Sequence, residues 1–278
     1  MQALQGTQLM AMANTLRRDV LTMVHTAGTG HIGGSFSIAE LMAALYFNVL
    51  KIYPDNPRCP DRDHMVLSKG HAAPILYAAL ARRGFFPVED LATLRQLGSR
   101  LQGHPDSHKT PGVDLTSGCL GEGLSNGCGF AAAARIRGIK NHTFVILGDG
   151  ELQEGQVWEA ALFAAAQKLD NLTAIVDVNG LMCDDVINDV LPMGDLKARW
   201  SSFGWDVTEM DGHDAQALAD VLLDCKNGNG GVPRVLLLKT VKGKGVSFME
   251  NVPSWHGAAV TDDVYVRAMA ELEKEGQK

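Results

Sequence analysis

Residues 148–180 read GDGELQEGQVWEAALFAAAQKLDNLTAIVDVNG, directly after the apolar run Thr143-Phe144-Val145-Ile146-Leu147. That run and residues 172–178 are rich in strand formers, and a helical pattern over 156–169 lies between them. Strand, helix and strand in this order make a βαβ unit. Gly-Asp-Gly closes the first strand and Asn179-Gly180 closes the second. In an open parallel sheet, ligands bind beyond the carboxyl ends of strands. Asp149 and Asn179 are therefore expected to converge at one sheet edge, one with an anionic oxygen and the other with a neutral amide oxygen. Both are hard ligands that suit Mg²⁺, with Ca²⁺ as a substitute. A single carboxylate is a thin cage for Mg²⁺, which is commonly shared with the phosphates of a substrate or cofactor. Gly148 and Gly150 let backbone approach a bulky anion, and the next helix offers its N-terminal amides to phosphate oxygens. Ordinary turn chemistry explains either motif alone. Their pairing at βαβ distance favours a ligand.

The same alternation runs outward from this unit. Helical spacing of apolar residues spans Leu9 to Val24. In SIAELMAALYFNVL, Ser37 and Glu40 form a capping-box signature, which predicts a helix starting there. HMVLS reads as a strand, APILYAALARRG as a helix closed by Gly84, and VEDLATLRQLG as a further helical period. Residues 101–118 are loop-like, and GLSNGCGFAAAARIRG is a small-residue helix suited to close packing against another backbone or a partner. Later come a strand near Trp205–Glu209, a helix near Ala215–Cys225, a strand at Val235–Leu238 and a helical end, DVYVRAMAELEKEGQK. Strands alternating with helices indicate an α/β fold with a mostly parallel central sheet flanked by helices.

Composition narrows the class. The chain has 278 residues, 46% of them hydrophobic, enough for one large domain over 1–278. A net charge of -7 disfavours a nucleic-acid surface. No apolar run is long enough to span a bilayer, and no secretory signal is visible. The five cysteines show no Cys-x-x-Cys spacing and read as free thiols in a reducing, cytoplasmic setting. Among nine histidines, His31, His71, His104 and His256 each adjoin a glycine. Imidazoles in such places can donate, accept or shuttle protons near neutral pH.

Taken together, these motifs resemble the transketolase family, in its thiamine diphosphate-binding N-terminal part. Gly-Asp-Gly followed by Asn resembles the thiamine diphosphate signature. GTGHIGGS, LSKGHAAPILYA, LQGHPD, GCLGEGLSNGCG and KTVKGKG…WHG resemble further family segments in the same order, from about His31 to His256. The resemblance implies that Mg²⁺ joins the cofactor diphosphate to Asp149, Asn179 and the carbonyl of Leu181, with Gly150 beside it. It implies that Lys69, His71, Lys242 and His256 contact the cofactor, and that Gly118, Cys119 and Leu120 pack on its rings. His31 and His104, with His256, would face the sugar. Glu154, otherwise an ordinary first-turn acid, would join a hydrogen-bond network reaching a partner site.

Two positions depart from the family pattern: Ile32 stands where proline is common and Glu122 where glutamine is frequent. The glutamate that activates the aminopyrimidine, and the arginines that hold substrate phosphate, belong in this family to a separate pyrimidine-binding domain. The resemblance therefore implies one half of a split transketolase, needing a C-terminal subunit, with two copies of each chain. It would move a two-carbon ketol unit from a ketose phosphate to an aldose phosphate. The alternatives are a subunit of another thiamine enzyme, of the 1-deoxyxylulose-5-phosphate synthase or keto-acid decarboxylase type, and a non-catalytic module that retains the fold.

Overall fold

A five-stranded, wholly parallel sheet of order β1-β2-β3-β5-β4 organises the chain. The computed structural model describes residues 3–183, 185–228 and 230–276. The strands are β1 (His64–Leu67), β2 (Thr143–Gly148), β3 (Leu172–Val178), β4 (Asp206–Asp211) and β5 (Arg234–Lys239). Successive residues point to opposite faces. In β2, Phe144 and Ile146 enter one core while Val145 and Leu147 enter the other. With helices on both faces, no position needs a polar side chain, so the central strands read as continuous apolar runs. Phe144 is fully buried, a burial that contributes about 1.5–3 kcal/mol.

On the face with the larger core lie α1 (Thr7–Ala27), α2 (Gly33–Phe36), α3 (Ala39–Ala44), α4 (Ala73–Arg83), and, later in the chain, α9 (Ala215–Cys225) and α10 (Asp262–Glu275). The other face is covered by α5 (Glu122–Ile136) and α6 (Gly155–Ala166), followed by the short α7 (Ile187–Val190) and α8 (Leu196–Ser202). In α5, a Cβ on Gly123 would lie 2.2 Å from Ser68 Oγ, and one on Gly127 2.4 Å from Val145 Cγ2. Those two glycines are needed for internal packing on the sheet. Gly129, with open space around it, lies on the outward side of the same helix.

The strand and major helix expectations agree with this architecture, and two local readings do not. Ser37 does not cap a helix: its hydroxyl donates to Asp177 Oδ2 at 2.7 Å, with the carbonyl of Gly34 further off at 3.1 Å. Glu40 forms a buried pair with Arg17 at 2.6 Å instead of reaching back to the Ser37 amide. Long-range partners thus displace the local capping box. The stretch VEDLATLRQLG gives only a 3₁₀ segment, Val88–Thr93. The helical reading of the chain's end extends to residues 277–278, which lie outside the described residues. Strand β4 is an edge strand whose Asp206, Glu209 and Asp211 are exposed. No helix among the described residues is long and apolar enough to cross a membrane.

Candidate active site

Four of the five strands deliver polar groups at their carboxyl ends. Lys69 and His71 follow β1, Asp149 follows β2, Asn179 and Leu181 follow β3, and Lys242 and His256 follow β5. Together with His104, Gly118, Leu120, Gly150 and Glu154 they line one cavity of about 360 Å³. Parallel pairing sets the convergence: Gly148 is opposite Asp177, and the Asp149 amide donates to the Asp177 carbonyl at 3.3 Å. Asp149 Oδ2 then accepts from the Gly180 amide at 2.6 Å, which ties the Gly-Asp-Gly turn to the Asn-Gly turn.

Asp177 organises the floor of the cavity. It is fully buried and accepts from Lys69 Nζ, Ser37 Oγ, Asn179 Nδ2 and Thr240 Oγ1. Burial works against its ionisation, but the Lys69 charge and these donors hold its carboxyl below the ordinary value. A carboxylate can only accept here, so it must take the NH₂ side of Asn179, at 2.9 Å. The carbonyl side of that amide, Oδ1, is thereby turned to the Leu181 amide at 3.1 Å. Asp149 is different. Burial, followed by the neighbouring Asp177 charge, pushes its carboxyl up to about 7. A buried carboxyl so placed gains most from a cation beside it.

Four of the glycine-flanked histidines, His31, His71, His104 and His256, meet. Ring centroids of His31 and His71 lie 5.4 Å apart, His31 and His256 5.3 Å, His71 and His256 4.9 Å, and His31 and His104 6.3 Å. Burial is the leading cause that lowers all four, to about 4 for His31, about 2 for His71 and about 3 for His256. Nearby cations add to it, notably Arg95 on His31 and His104. The four imidazoles are therefore neutral at physiological pH. Lys242 Nζ lies 2.9 Å from His256 Nδ1 and donates to the carbonyls of Leu181 and Met182. With an ammonium on Nδ1, the His256 proton resides on Nε2, leaving a donor free. His31 Nδ1 is buried and has no hydrogen-bond partner among the described residues. Close approach of the turns needs Gly70, where a Cβ would lie 2.9 Å from the Gly118 amide.

Every expected site residue except His31 and Cys119 lines the cavity itself, and His31 adjoins all three lining histidines. Cys119 is exposed between two lining residues, and Glu154 is exposed at the start of α6. Sequence reasoning missed four residues. An aspartate inside the apolar strand LTAIVDV was a signal for Asp177, because such a group needs partners. Arg95, with φ 61°, reaches Thr29 at 3.0 Å beside His31 and His104. His213 accepts from the Val241 amide and contacts Glu40, anchoring the segment before Lys242. Glu151 is a buried carboxylate within the turn that follows β2. Among the described residues, no cluster of three or more His, Cys, Asp or Glu side chains could hold a metal. Any ion here would draw on Asp149, an amide oxygen and a carbonyl, completed by groups that come with a ligand.

Comparison with known proteins follows the same lines. Residues 9–274 match the family described as transketolase, thiamine diphosphate binding domain. The chain is 44% identical over 272 residues to the 6-deoxy-6-sulfo-D-fructose transketolase subunit SqwG of Clostridium sp. (strain MSTE9), covering 98% of both chains. It is 40% identical to an apulose-4-phosphate transketolase subunit of Actinobacillus succinogenes, covering 95% of each. The crystal structure of transketolase from Campylobacter jejuni is similar with a TM-score of 0.89 at 33% identity. That match covers 95% of this chain but only 42% of the solved one.

Proposed function

The chain belongs to the family of transketolase thiamine diphosphate-binding domains, and from that premise we propose that it is the diphosphate-holding subunit of a split, cytoplasmic transketolase. The observation that carries this reading is the meeting of four neutral histidines with the Asp149–Asn179 turn pair and two buried lysines in one cavity. The residues fit the cofactor. Asp149, the oriented Asn179 oxygen and the Leu181 carbonyl would hold Mg²⁺. Lys69, Lys242, His71 and His256 would meet the diphosphate, and Gly118 to Leu120 would pack on the rings. Bound there, thiamine diphosphate would supply the carbon that carries the two-carbon unit between sugars.

The chain's own residues bind, orient and exchange protons. His31 and His104 are neutral and lie beside the diphosphate-facing pair, so each can accept a proton at one ring nitrogen while donating from the other. Their proposed work is to hold and exchange protons with sugar hydroxyls, with Nε2–H of His256 as a further donor. Glu154, exposed at the cavity rim, is placed to pair with a group from another chain. Of the relatives above, one is named for a sulfo sugar and the other for a sugar phosphate. We take the substrates here to be of that class, a ketose donor and an aldose acceptor with an anionic far end.

Two features support a partner. The chain spans only 42% of a solved transketolase chain, and the α5–α6 side leaves apolar groups to water: Ile136 is 86% exposed, Leu162 60%, Phe163 47% and Leu120 40%. A chain carrying a pyrimidine-binding domain would cover that side, in an assembly of two copies of each. Mixing titration tests the proposal. The purified chain alone should show no ketol transfer, and activity should rise as the complementary chain is added and saturate near equal amounts. Full activity without a second polypeptide, checked by mass spectrometry, would refute the split-enzyme reading.

A further inference from the structure

The turn after β2 contains a buried carboxylate that the proposed chemistry does not use. Glu151 is 3% exposed. Its Oε1 accepts from Ser68 Oγ and from the Gly121 amide at 2.8 Å, and its Oε2 accepts from the Gly148 amide at 3.1 Å. The three donors come from three separate segments of the chain. Each adjoins a residue that lines the cavity: Ser68 precedes Lys69, Gly121 follows Leu120, and Gly148 precedes Asp149. Ser117 Oγ donates to the Leu67 carbonyl at 2.8 Å and ties the start of this stretch to β1; among the described residues no backbone hydrogen bond joins the Gly121 amide itself to β1 or β2, and Glu151 supplies that link.

We propose that Glu151 is a positioning residue, whose carboxylate fixes the Lys69, Leu120 and Asp149 segments in one register for the diphosphate. The proposal rests on the cofactor reading above. A carboxylate is suited to the task because it accepts on both oxygens. A glutamine in its place always leaves one backbone amide unpaired, since its NH₂ side meets an N–H wherever it turns. A buried donor left unpaired is costly, well beyond the loss of an ordinary hydrogen bond.

Two measurements on the whole chain test the assignment with Glu151→Gln, and with Ser68→Ala as a milder second variant that removes one donor and keeps both amide bonds. The first needs no cofactor: hydrogen exchange at the Gly121 and Gly148 amides. In Glu151→Gln one or both should exchange at least about tenfold faster, equivalent to about 1.4 kcal/mol, while exchange in α1 and α4 stays within about twofold, and Ser68→Ala should change it by less. The second is calorimetric titration with thiamine diphosphate and Mg²⁺, where affinity should fall about tenfold in Glu151→Gln. Unchanged amide exchange, or equal acceleration throughout the chain, overturns the positioning role. So does an affinity within about twofold of the parent despite faster exchange. Should Glu151→Gln fail to fold, Glu151→Asp, whose shorter side chain cannot hold the Gly121 and Gly148 amides together, decides by the same readouts: faster exchange confined to the two amides supports the role, and no change overturns it. A parent chain that binds no thiamine diphosphate either alone or with the complementary chain refutes the cofactor reading, and with it the purpose assigned to Glu151, even where the exchange result stands.

Discussion

Replacing Asp177 by asparagine keeps the shape of the cavity floor and removes one charge. In the parent, Lys69 and Asp177 are 2% and 0% exposed, and the ammonium also donates to the Gly34 carbonyl at 2.8 Å. The substitution leaves that ammonium buried without a counter-ion, a change that costs about 3–5 kcal/mol. For a chain of this size the loss corresponds to a melting temperature lower by roughly 6–20 °C. The sign with pH is fixed by the depressed carboxyl. Its stabilisation is fully present above the unfolded carboxyl pKa of about 3.9 and is lost as pH falls through the lower folded value, so measurement at neutral pH sees the whole effect. Thermal and urea unfolding of Asp177→Asn, Lys69→Met and the double variant make the assay. With both charges gone no orphan remains, so the double variant should exceed the sum of the singles in stability by about 1–3 kcal/mol. Single effects that add to within about 0.5 kcal/mol, or a melting temperature for Asp177→Asn equal to the parent's, would refute the claim that the two groups act as one unit.

Asp149→Ala should abolish tight thiamine diphosphate binding while far-ultraviolet circular dichroism stays parental; calorimetry that finds the same affinity with and without Mg²⁺ removes the metal assignment. His31→Ala and His104→Ala should lower turnover of the reconstituted enzyme by about 10²–10⁴-fold and affect cofactor affinity far less, so parental rates in both would withdraw their proposed roles. His71, held down to about 2 by burial and then by the Lys69 charge, gains its proton only on unfolding. Stability should therefore fall as pH drops below about 6.5, by up to about 1.4 kcal/mol per pH unit. His71→Asn should take away up to that share of the slope between pH 6 and 4.5 and leave the parts due to His31 and His256, and identical slopes would show that the imidazole is not protected.

The sheet was legible because its central strands are buried on both faces. Runs such as FVIL and TAIV admit few other readings at that length between turn signals. Asp149, Asn179, His71 and His256 were legible because each follows a strand, where topology places ligands, and His31 and His104 because each sits beside a glycine in a turn-like stretch. What was hidden depends on contacts across long stretches of chain. Ser37 looks like a cap until Asp177, 140 positions on, takes its hydroxyl. Glu151 and Glu154 look alike in sequence, two acids in one turn, yet one is buried under three donors and the other is exposed. Nothing local distinguishes them, because the donors at Ser68 and Gly121 arrive from elsewhere. Arg95 lay in a stretch read as helical, and its loop geometry alone brings it beside His31.

The acid-lined edge strand β4 bears on how long a newly made copy can survive by itself. Open sheet edges invite other chains to pair with them, and short strands and charged side chains discourage it. One edge here is the four-residue β1, and the other displays Asp206, Glu209 and Asp211, with Glu209 near Lys197 at 3.6 Å. Neither is a good template for a growing aggregate. The exposed apolar side chains of α5 and α6 attract by shape and apolar area and offer no backbone ladder to extend. An orphan copy should thus tend to form small, reversible clusters and not fibres, and so remain available for assembly when its counterpart is synthesised later or in lesser amount.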